Sequence, residues 1–142
     1  MCTKLFRVIA GALLLVAPAA PVIAHHSFAG EFDANKPVTI KGTVVKMEWV
    51  NPHSWIHIDV KGPDGKVERW VVEGGAPNAL IRRGWTKNSL PIGVEITVDG
   101  FQAKDGSYRA NAREVVFKDG TKLFLGSTGT GAPEKPERPP QL

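Results

Sequence analysis

The sequence has almost no cysteine: the only one, Cys2, lies at the very start of the chain. This excludes a disulfide-stapled small domain and a thiolate metal cluster, so a hydrophobic core has to stabilise the fold. Long apolar runs are lacking too. The leading candidate, residues 8–16, is too short to cross a bilayer.

The N-terminal segment has the pattern of an export signal. Two basic residues precede the apolar run, and small or β-branched residues follow it up to Ala24. We expect cleavage after Ala24, because Ala19 follows the apolar run too closely and cleavage after Ala20 leaves a proline first. An N-terminal membrane anchor is the alternative, which the short run disfavours. The predicted product is a periplasmic or secreted bacterial protein without a stable membrane anchor.

Little net charge remains after such processing. Loss of Lys4 and Arg7 from the 18 basic residues leaves 16 against 14 acidic ones, a net charge of +2. This is too mild for a protein that binds nucleic acid or an anionic membrane surface. The remaining chain fits one domain over residues 25–125. A Gly- and Pro-rich tail, residues 126–142, is expected to be disordered.

Short β-strands bounded by turn residues dominate this domain. Alternation of apolar and polar residues predicts the strands, and turns rich in glycine separate them. A change of phase near Gly42 indicates a bulge or sharp coil, which lets the first strand contribute to two sides of a barrel. The predicted strands are residues 38–50, 55–61, 67–73, 94–101 and 109–117, with a short last strand at 121–125.

One segment, residues 77–83, is predicted to be helical. Pro77 suits the first helical turn, Gly84 suits a left-handed cap, and Trp85 is expected to pack back over the terminus. Three strands, a helix and two strands is the order of an OB-fold, a five-stranded Greek-key barrel. We therefore predict an all-β, OB-like barrel with one short helix and a short extra C-terminal strand. An open sandwich is the alternative.

Several motifs along the chain form a recognisable set: HHSF at 25–28, EFD at 31–33, KGTV at 41–44, WVNPH at 49–53, EGGAPN at 73–78 and RRGW at 82–85. In these motifs the sequence resembles a family of small exported bacterial proteins that is classed only as a domain of unknown function. The resemblance implies a periplasmic or secreted protein. It implies no established activity, cofactor or catalytic residue.

All four histidines fall in two clusters, His25-His26 and His53/His57. A strand rises about 3.3 Å per residue, so His53 and His57 would have Cα atoms about 13 Å apart on a regular strand. A single metal ion does not readily bind both side chains at this separation. His57 and Asp59, two residues apart, can converge at about 6–7 Å. A cage of four histidines is therefore not expected.

A smaller, nitrogen-rich metal site is one functional hypothesis, the alternative to the binding of a ligand or protein partner that is described next. Cleavage after Ala24 would give His25 a free amine beside its imidazole, with His26, His53 or His57 completing the donor set. Such donors favour Cu(II), then Ni(II), with Zn(II) less distinctive. The alternative is a mobile N-terminus and surface histidines paired with carboxylates, so no cofactor is certain from the sequence.

Binding of a ligand or a protein partner is the second functional hypothesis. Alternation places Trp55, His57 and Asp59 on the polar face of their strand, opposite the apolar Ile56 and Ile58. We expect the other tryptophans to fill the core or cover a barrel end, and Trp55 to be the exposed one. The expected occupant is an unknown protein or small ligand. No catalytic constellation is apparent, so we do not expect an enzyme.

Overall fold

The computed structural model describes residues 28–126. The predicted signal peptide, His25, His26 and the tail beyond Gly126 lie outside this range, and these predictions stay untested. The elements are α1 (Phe28–Glu31), β1 (Phe32–Glu48), β2 (Trp55–Lys61), β3 (Val67–Glu73), α2 (Pro77–Ile81), β4 (Glu95–Ala103), β5 (Arg109–Phe117) and β6 (Lys122–Phe124).

The strands form one sheet that closes into a ring. Their order is β3-β2-β1-β4-β5-β6, and an additional pairing between β3 and β5 joins the two sides. That closing pair is parallel and joins Val71 to Arg109, Val72 to Ala110 and Glu73 to Asn111, whereas every other strand pair is antiparallel. The predicted OB-like, all-β barrel is confirmed, including the short last strand, β6.

The long first strand serves two sides of this ring. Phe32 and residues 37–43 of β1 pair with β4, residues 43–48 pair with β2, and Thr43 takes part in both pairings. A bulge at Val45, where the register shifts between Val44 and Lys46, carries the strand round the corner. The predicted change of phase is therefore real, although the bulge lies three residues beyond Gly42.

Strand limits agree with the alternation pattern where one face is buried. The structure places β2, β3 and β5 at their predicted limits. β1 begins at Phe32 rather than at residue 38, because Phe32 and Pro37 pair with Ala103 and Phe101 of β4, with a register shift between the two pairs. The fourth strand extends to Ala103, and the last strand is shorter than predicted.

The helix α2 ends at Ile81, two residues earlier than predicted, and is followed by the glycine cap that the sequence predicts. The Trp85 amide donates to the Leu80 carbonyl at 3.1 Å, and the Gly84 amide donates to the Ile81 carbonyl at 3.1 Å. With φ at +91° for Gly84, this is a Schellman motif. Trp85 is 1 % exposed and donates its ring N–H to the Phe124 carbonyl at 2.8 Å, which ties the cap to the last strand.

The structure contains two separate buried apolar clusters. The larger one fills the barrel with side chains from all five long strands, α2 and the loops around Trp85. The smaller one lies outside the barrel and consists of Phe28, Phe32, Phe101 and Ala103. Within residues 28–126, no helix is long and apolar enough to cross a membrane.

Replacing Gly42 by alanine tests the corner of β1. A Cβ at this position would lie 2.4 Å from the Asp59 carbonyl oxygen, a backbone atom that cannot move aside alone. We expect Gly42→Ala to lower the free energy of unfolding by about 3 kcal/mol, the upper end for overpacking. Urea unfolding followed by circular dichroism measures this.

Gly106→Ala is the matched control for that experiment. Gly106 has φ at +76° but no neighbour near its Cβ position, so only backbone strain is introduced, about 1–2 kcal/mol. A smaller loss for Gly42→Ala than for Gly106→Ala would contradict the close approach of β1 and β2.

Candidate functional site

The second strand separates the core from the candidate site. Ile56 and Ile58 are fully buried in the barrel, while Trp55, His57 and Asp59 alternate with them and are half-buried on the outer face. The predicted division of this strand into an apolar and a polar face is confirmed.

Neighbouring strands add charged residues to this outer face. Trp55 pairs with Glu73 on β3 and with Glu48 on β1. In the next row, His57 pairs with Val71 and with Lys46. Trp55 therefore lies between two carboxylates that belong to different strands.

His57 is held by one of these carboxylates. Its Nε2 atom lies 2.8 Å from Glu48 Oε1, and Lys46 Nζ contacts the same oxygen at 2.8 Å. The hydrogen bond from Lys46, and after it the one from His57, holds the pKa of the Glu48 carboxyl below its ordinary value. Glu48 is thus ionised at neutral pH and fixes one nitrogen of the His57 ring.

His53 lies beside the other carboxylate, in a more enclosed position. Its Nδ1 atom is 2.8 Å from Glu73 Oε1, and the two side chains are 13 % and 9 % exposed. The contact is short, but it does not have the alignment of a regular hydrogen bond at Nδ1. The two side chains are therefore in close contact without an aligned hydrogen bond.

Ser54 explains why His53 comes so close to β3. Its amide donates to the Gly75 carbonyl at 3.0 Å, its carbonyl accepts from the Gly74 amide at 2.8 Å, and its hydroxyl donates to the Gly75 carbonyl at 2.9 Å. These bonds continue the pairing of β2 and β3 past the end of each strand. The side chain before Ser54 is therefore placed next to Glu73.

The two histidines have similar surroundings. Each has a carboxylate oxygen 2.8 Å from one ring nitrogen, although only the His57 contact is aligned as a hydrogen bond, and the other nitrogen has no partner among residues 28–126. Histidines that bind metals usually have a carboxylate or carbonyl on the second nitrogen, which fixes the ring and strengthens the ligand. Glu48 and Glu73 occupy the position of such supporting groups.

Asp59 has a different partner. Arg69 binds both its oxygens, at 2.6 and 3.0 Å, and holds the pKa of the Asp59 carboxyl below its ordinary value. Asp59 and His57 are thus engaged by different neighbours. No group of three or more His, Cys, Asp and Glu side chains within the described range is arranged to hold a metal ion.

The start of the described chain is fastened to the outer face beside this site. Phe28 packs on the Phe101 ring, and Arg109 Nη2 lies 2.9 Å from Glu31 Oε2. Phe101 pairs with Asn111 on β5, and Asn111 pairs with Glu73 on β3. Phe101 therefore lies two strand spacings from Glu73, about 10 Å, and Phe28 packs on the Phe101 ring.

Among the tryptophans, Trp55 alone is absent from the contacts of the main core. Trp85 belongs to that core, and Trp49 and Trp70 pack against it. Trp70 also contacts the Tyr108 ring, with centroids 5.4 Å apart. The expectation that Trp55 differs from the other three is consistent with this placement.

Glu48 and Glu73 were not identified from the sequence as the carboxylates beside the histidines, although the position of Glu73 could have been predicted. The hairpin register pairs Lys61 with Val67, and counting back along both strands puts Trp55 opposite Glu73. Glu48 is different, because its place opposite Trp55 depends on the bulge at Val45.

Comparison with known proteins now gives the family. A family model described as a family of unknown function (DUF6152) matches residues 12–112, which is more than half of the chain. The chain belongs to this family. The resemblance seen in the motifs is thereby confirmed at the level of the family, and DUF6152 carries no assigned activity. No curated protein matches this DUF6152 chain.

Acid sensitivity of the outer face follows from the two lowered pKa values. In the unfolded chain, Asp and Glu titrate near pH 4. Because folding lowers the pKa of Glu48 and of Asp59, both carboxylates stabilise the fold above that pH, and the contribution is lost as the pH falls through the folded values. We expect the free energy of unfolding to fall as the pH is lowered from about 5 to about 2.5.

Asp59→Asn should reduce the steepness of this loss, measured by urea unfolding at several pH values. Glu95→Gln is the control, since Glu95 forms only an exposed pair with Lys41 at 3.6 Å. An unchanged slope in Asp59→Asn would contradict the assignment.

Proposed function

We propose that this chain is an exported OB-like module that binds a transition metal, Cu(II) first, at the corner formed by His53 and Glu73. The observation that carries the proposal is the enclosed His53 ring, with a carboxylate on one nitrogen and the other nitrogen without a partner among residues 28–126. His25 and His26 are proposed to complete the donor set.

The reach of the chain supports this choice of ligands. His25 precedes Phe28 by three residues, and three extended residues span about 10–11 Å. Phe28 packs on Phe101, which lies about 10 Å from Glu73 on the same outer face. The proposal therefore requires residues 25–27 to extend from Phe28 toward β3.

The chemistry of the donors favours copper. An α-amine and imidazole nitrogens form a nitrogen-rich set that Cu(II) prefers, followed by Ni(II), while Zn(II) is less distinctive. His57 is an alternative nitrogen donor, since Glu48 already fixes its ring on the same face. Glu73 would act through His53 rather than on the metal, by orienting the ring.

A metal titration of protein that begins at His25 tests the proposal. We expect one Cu(II) per chain, measured by competition with nitrilotriacetate, and a loss of affinity of about tenfold or more in His53→Ala. Glu73→Gln should cost about 10- to 100-fold, the usual range for an orienting carboxylate. Glu95→Gln is the remote control and should leave the affinity unchanged.

One further sample decides the role of the amine. Addition of a single glycine before His25 removes the amine from the histidine and should weaken Cu(II) binding. Weak binding of undefined stoichiometry that this extension does not change would rule the metal site out. Thermal unfolding of each variant checks that the barrel is intact.

As a second candidate, we propose that the outer face around Trp55, His57 and Asp59 binds a ligand or a protein partner. The observation that favours it is the half-buried Trp55 ring, which lies outside the core and between Glu48 and Glu73. Aromatic rings on OB-fold faces commonly stack against sugars or other flat groups.

Cellohexaose is a suitable soluble probe for this second candidate. We expect a saturable change in tryptophan fluorescence that Trp55→Ala removes and that Tyr108→Phe, at the distant Trp70 contact, retains. The absence of a saturable change, or the same change in Trp55→Ala, would count against glycan stacking at this face.

A further inference from the structure

We propose a further binding site, in which the open edge of β1 pairs with an extended peptide and a cavity beside that edge takes an arginine side chain of the peptide. The cavity lies between the first half of β1 and the hairpin formed by β2 and β3. The proposal goes beyond the metal site and the Trp55 face, because it involves other residues and other chemistry.

The cavity has mainly apolar walls and a small volume. Val38 and Ile40 of β1, Val60 of β2 and the Trp70 ring of β3 line it, and all four belong to the main core or pack against it. The cavity is therefore on the inner side of the sheet. Its volume of about 240 Å³ lies below the range of about 300–1,000 Å³ that is usual for drug-sized ligands. One long side chain is a better match for this space than a whole small molecule.

The cavity is open because β1 and β2 separate from each other. Thr43 pairs with Asp59, and a continued ladder would next join Lys41 to Lys61, but these two residues do not pair. Beyond this point β2 continues only with β3, and the first half of β1 continues only with β4. One edge of β1 is thus left without a neighbouring strand in the described part of the chain.

The backbone of this edge is directed toward the gap. The Val44 amide donates to the Val94 carbonyl at 2.9 Å, so alternate residues counted back from Val44 direct their amides and carbonyls to β4. Thr39 and Lys41 belong to the other set and direct theirs toward the gap. Pro37, which has no N–H, is in this second set, as expected for an edge without a partner strand. Such an edge can accept an added strand from another chain.

A carboxylate on the cavity wall favours a cationic side chain. Glu68 lines the cavity and pairs with Val60, whose row faces the barrel interior. Tyr108 donates its hydroxyl to Glu68 Oε1 at 2.7 Å, and Glu68 Oε2 makes no hydrogen bond with a residue of the described range. The other charged residue of the wall is Lys41, and its ammonium group pairs with Glu95 at 3.6 Å. The charge that remains for an occupant is therefore negative.

An extended peptide that carries one arginine matches both features of the site. Its main chain pairs with Thr39 and Lys41, and alternate side chains then point to the same face. The arginine methylenes pack on the apolar walls, while the guanidinium lies against the Trp70 ring and binds the Glu68 carboxylate. The main-chain hydrogen bonds supply affinity, and the cavity supplies the preference for arginine.

The test compares the peptide acetyl-Ser-Thr-Val-Arg-Val-Thr-Ser-amide with a twin that has citrulline, a neutral group of the same shape, in place of arginine. Two-dimensional NMR of the chain that begins at His25 should show saturable shifts of the Thr39 and Lys41 amides. The arginine peptide should bind about tenfold more tightly than its twin. Glu68→Gln should remove this preference, whereas the matched control Tyr108→Phe, which keeps the carboxylate, should retain it.

A second arm tests the main-chain pairing. Thr39→Pro removes one N–H from the open edge and should weaken binding of the arginine peptide about fivefold. Thr39→Val is the matched control, because it loses the 2.6 Å bond from the Thr39 hydroxyl to Asp99 but keeps the N–H. Two peptides N-methylated on alternate amides test the same pairing without a change in the protein: only the one whose methyl groups face β1 should bind more weakly.

Three results would overturn the proposal. They are the absence of saturable shifts at the Thr39 and Lys41 amides, equal affinity of the starting protein for the arginine and citrulline peptides, and equal effects of the two methylated peptides. A dimer in sedimentation equilibrium whose dissociation exposes these two amides would also overturn it, because a second copy of the chain would then occupy the edge.

Discussion

The whole structure depends on one strand that pairs on both sides. β1 runs along β4 and then along β2, with Thr43 paired to both, and this requires the backbones of Gly42 and Asp59 to lie in contact. A side chain at residue 42 would hold the strands apart. The bulge at Val45 then turns the last residues of β1, so that Glu48 faces Trp55 and reaches His57. The geometry that closes the barrel therefore also positions part of the candidate site.

The parts of the structure that could be predicted from the sequence are those in which apolar and polar residues alternate regularly. β2, β3 and β5 alternate against a single core, so their limits could be predicted from apolar spacing alone. The segment before residue 38 has no such alternation, because only Phe32 and Pro37 pair with β4 and the register shifts between them. Glu73 opposite Trp55 could have been counted from the hairpin turn, whereas the contact of His53 with Glu73 depends on Ser54, whose bonds to a loop carry no local signal.

The outer face of β2 combines features that favour both proposals. Side chains from β1, β2 and β3 bind its Glu48 and Asp59 carboxylates, and Glu48 holds one nitrogen of the His57 ring. A metal ion would bind the histidine ring nitrogens, whereas a stacked ligand would contact the face of the Trp55 ring. The two proposals therefore involve different atoms. Residues 28–31 pack against β4 and β5 on the outer side of the sheet.

The ring is closed by its shortest strand pairing, the seam between β3 and β5. Only three residue pairs join β3 to β5, compared with seven between β2 and β3, so opening at this seam breaks the fewest ladder bonds. The seam runs from Arg109 to Glu73, between the anchored N-terminal segment on one side and His53 on the other. An occupant held jointly by those two sides, as proposed, would stabilise the closed barrel by mass action if it binds only the closed form.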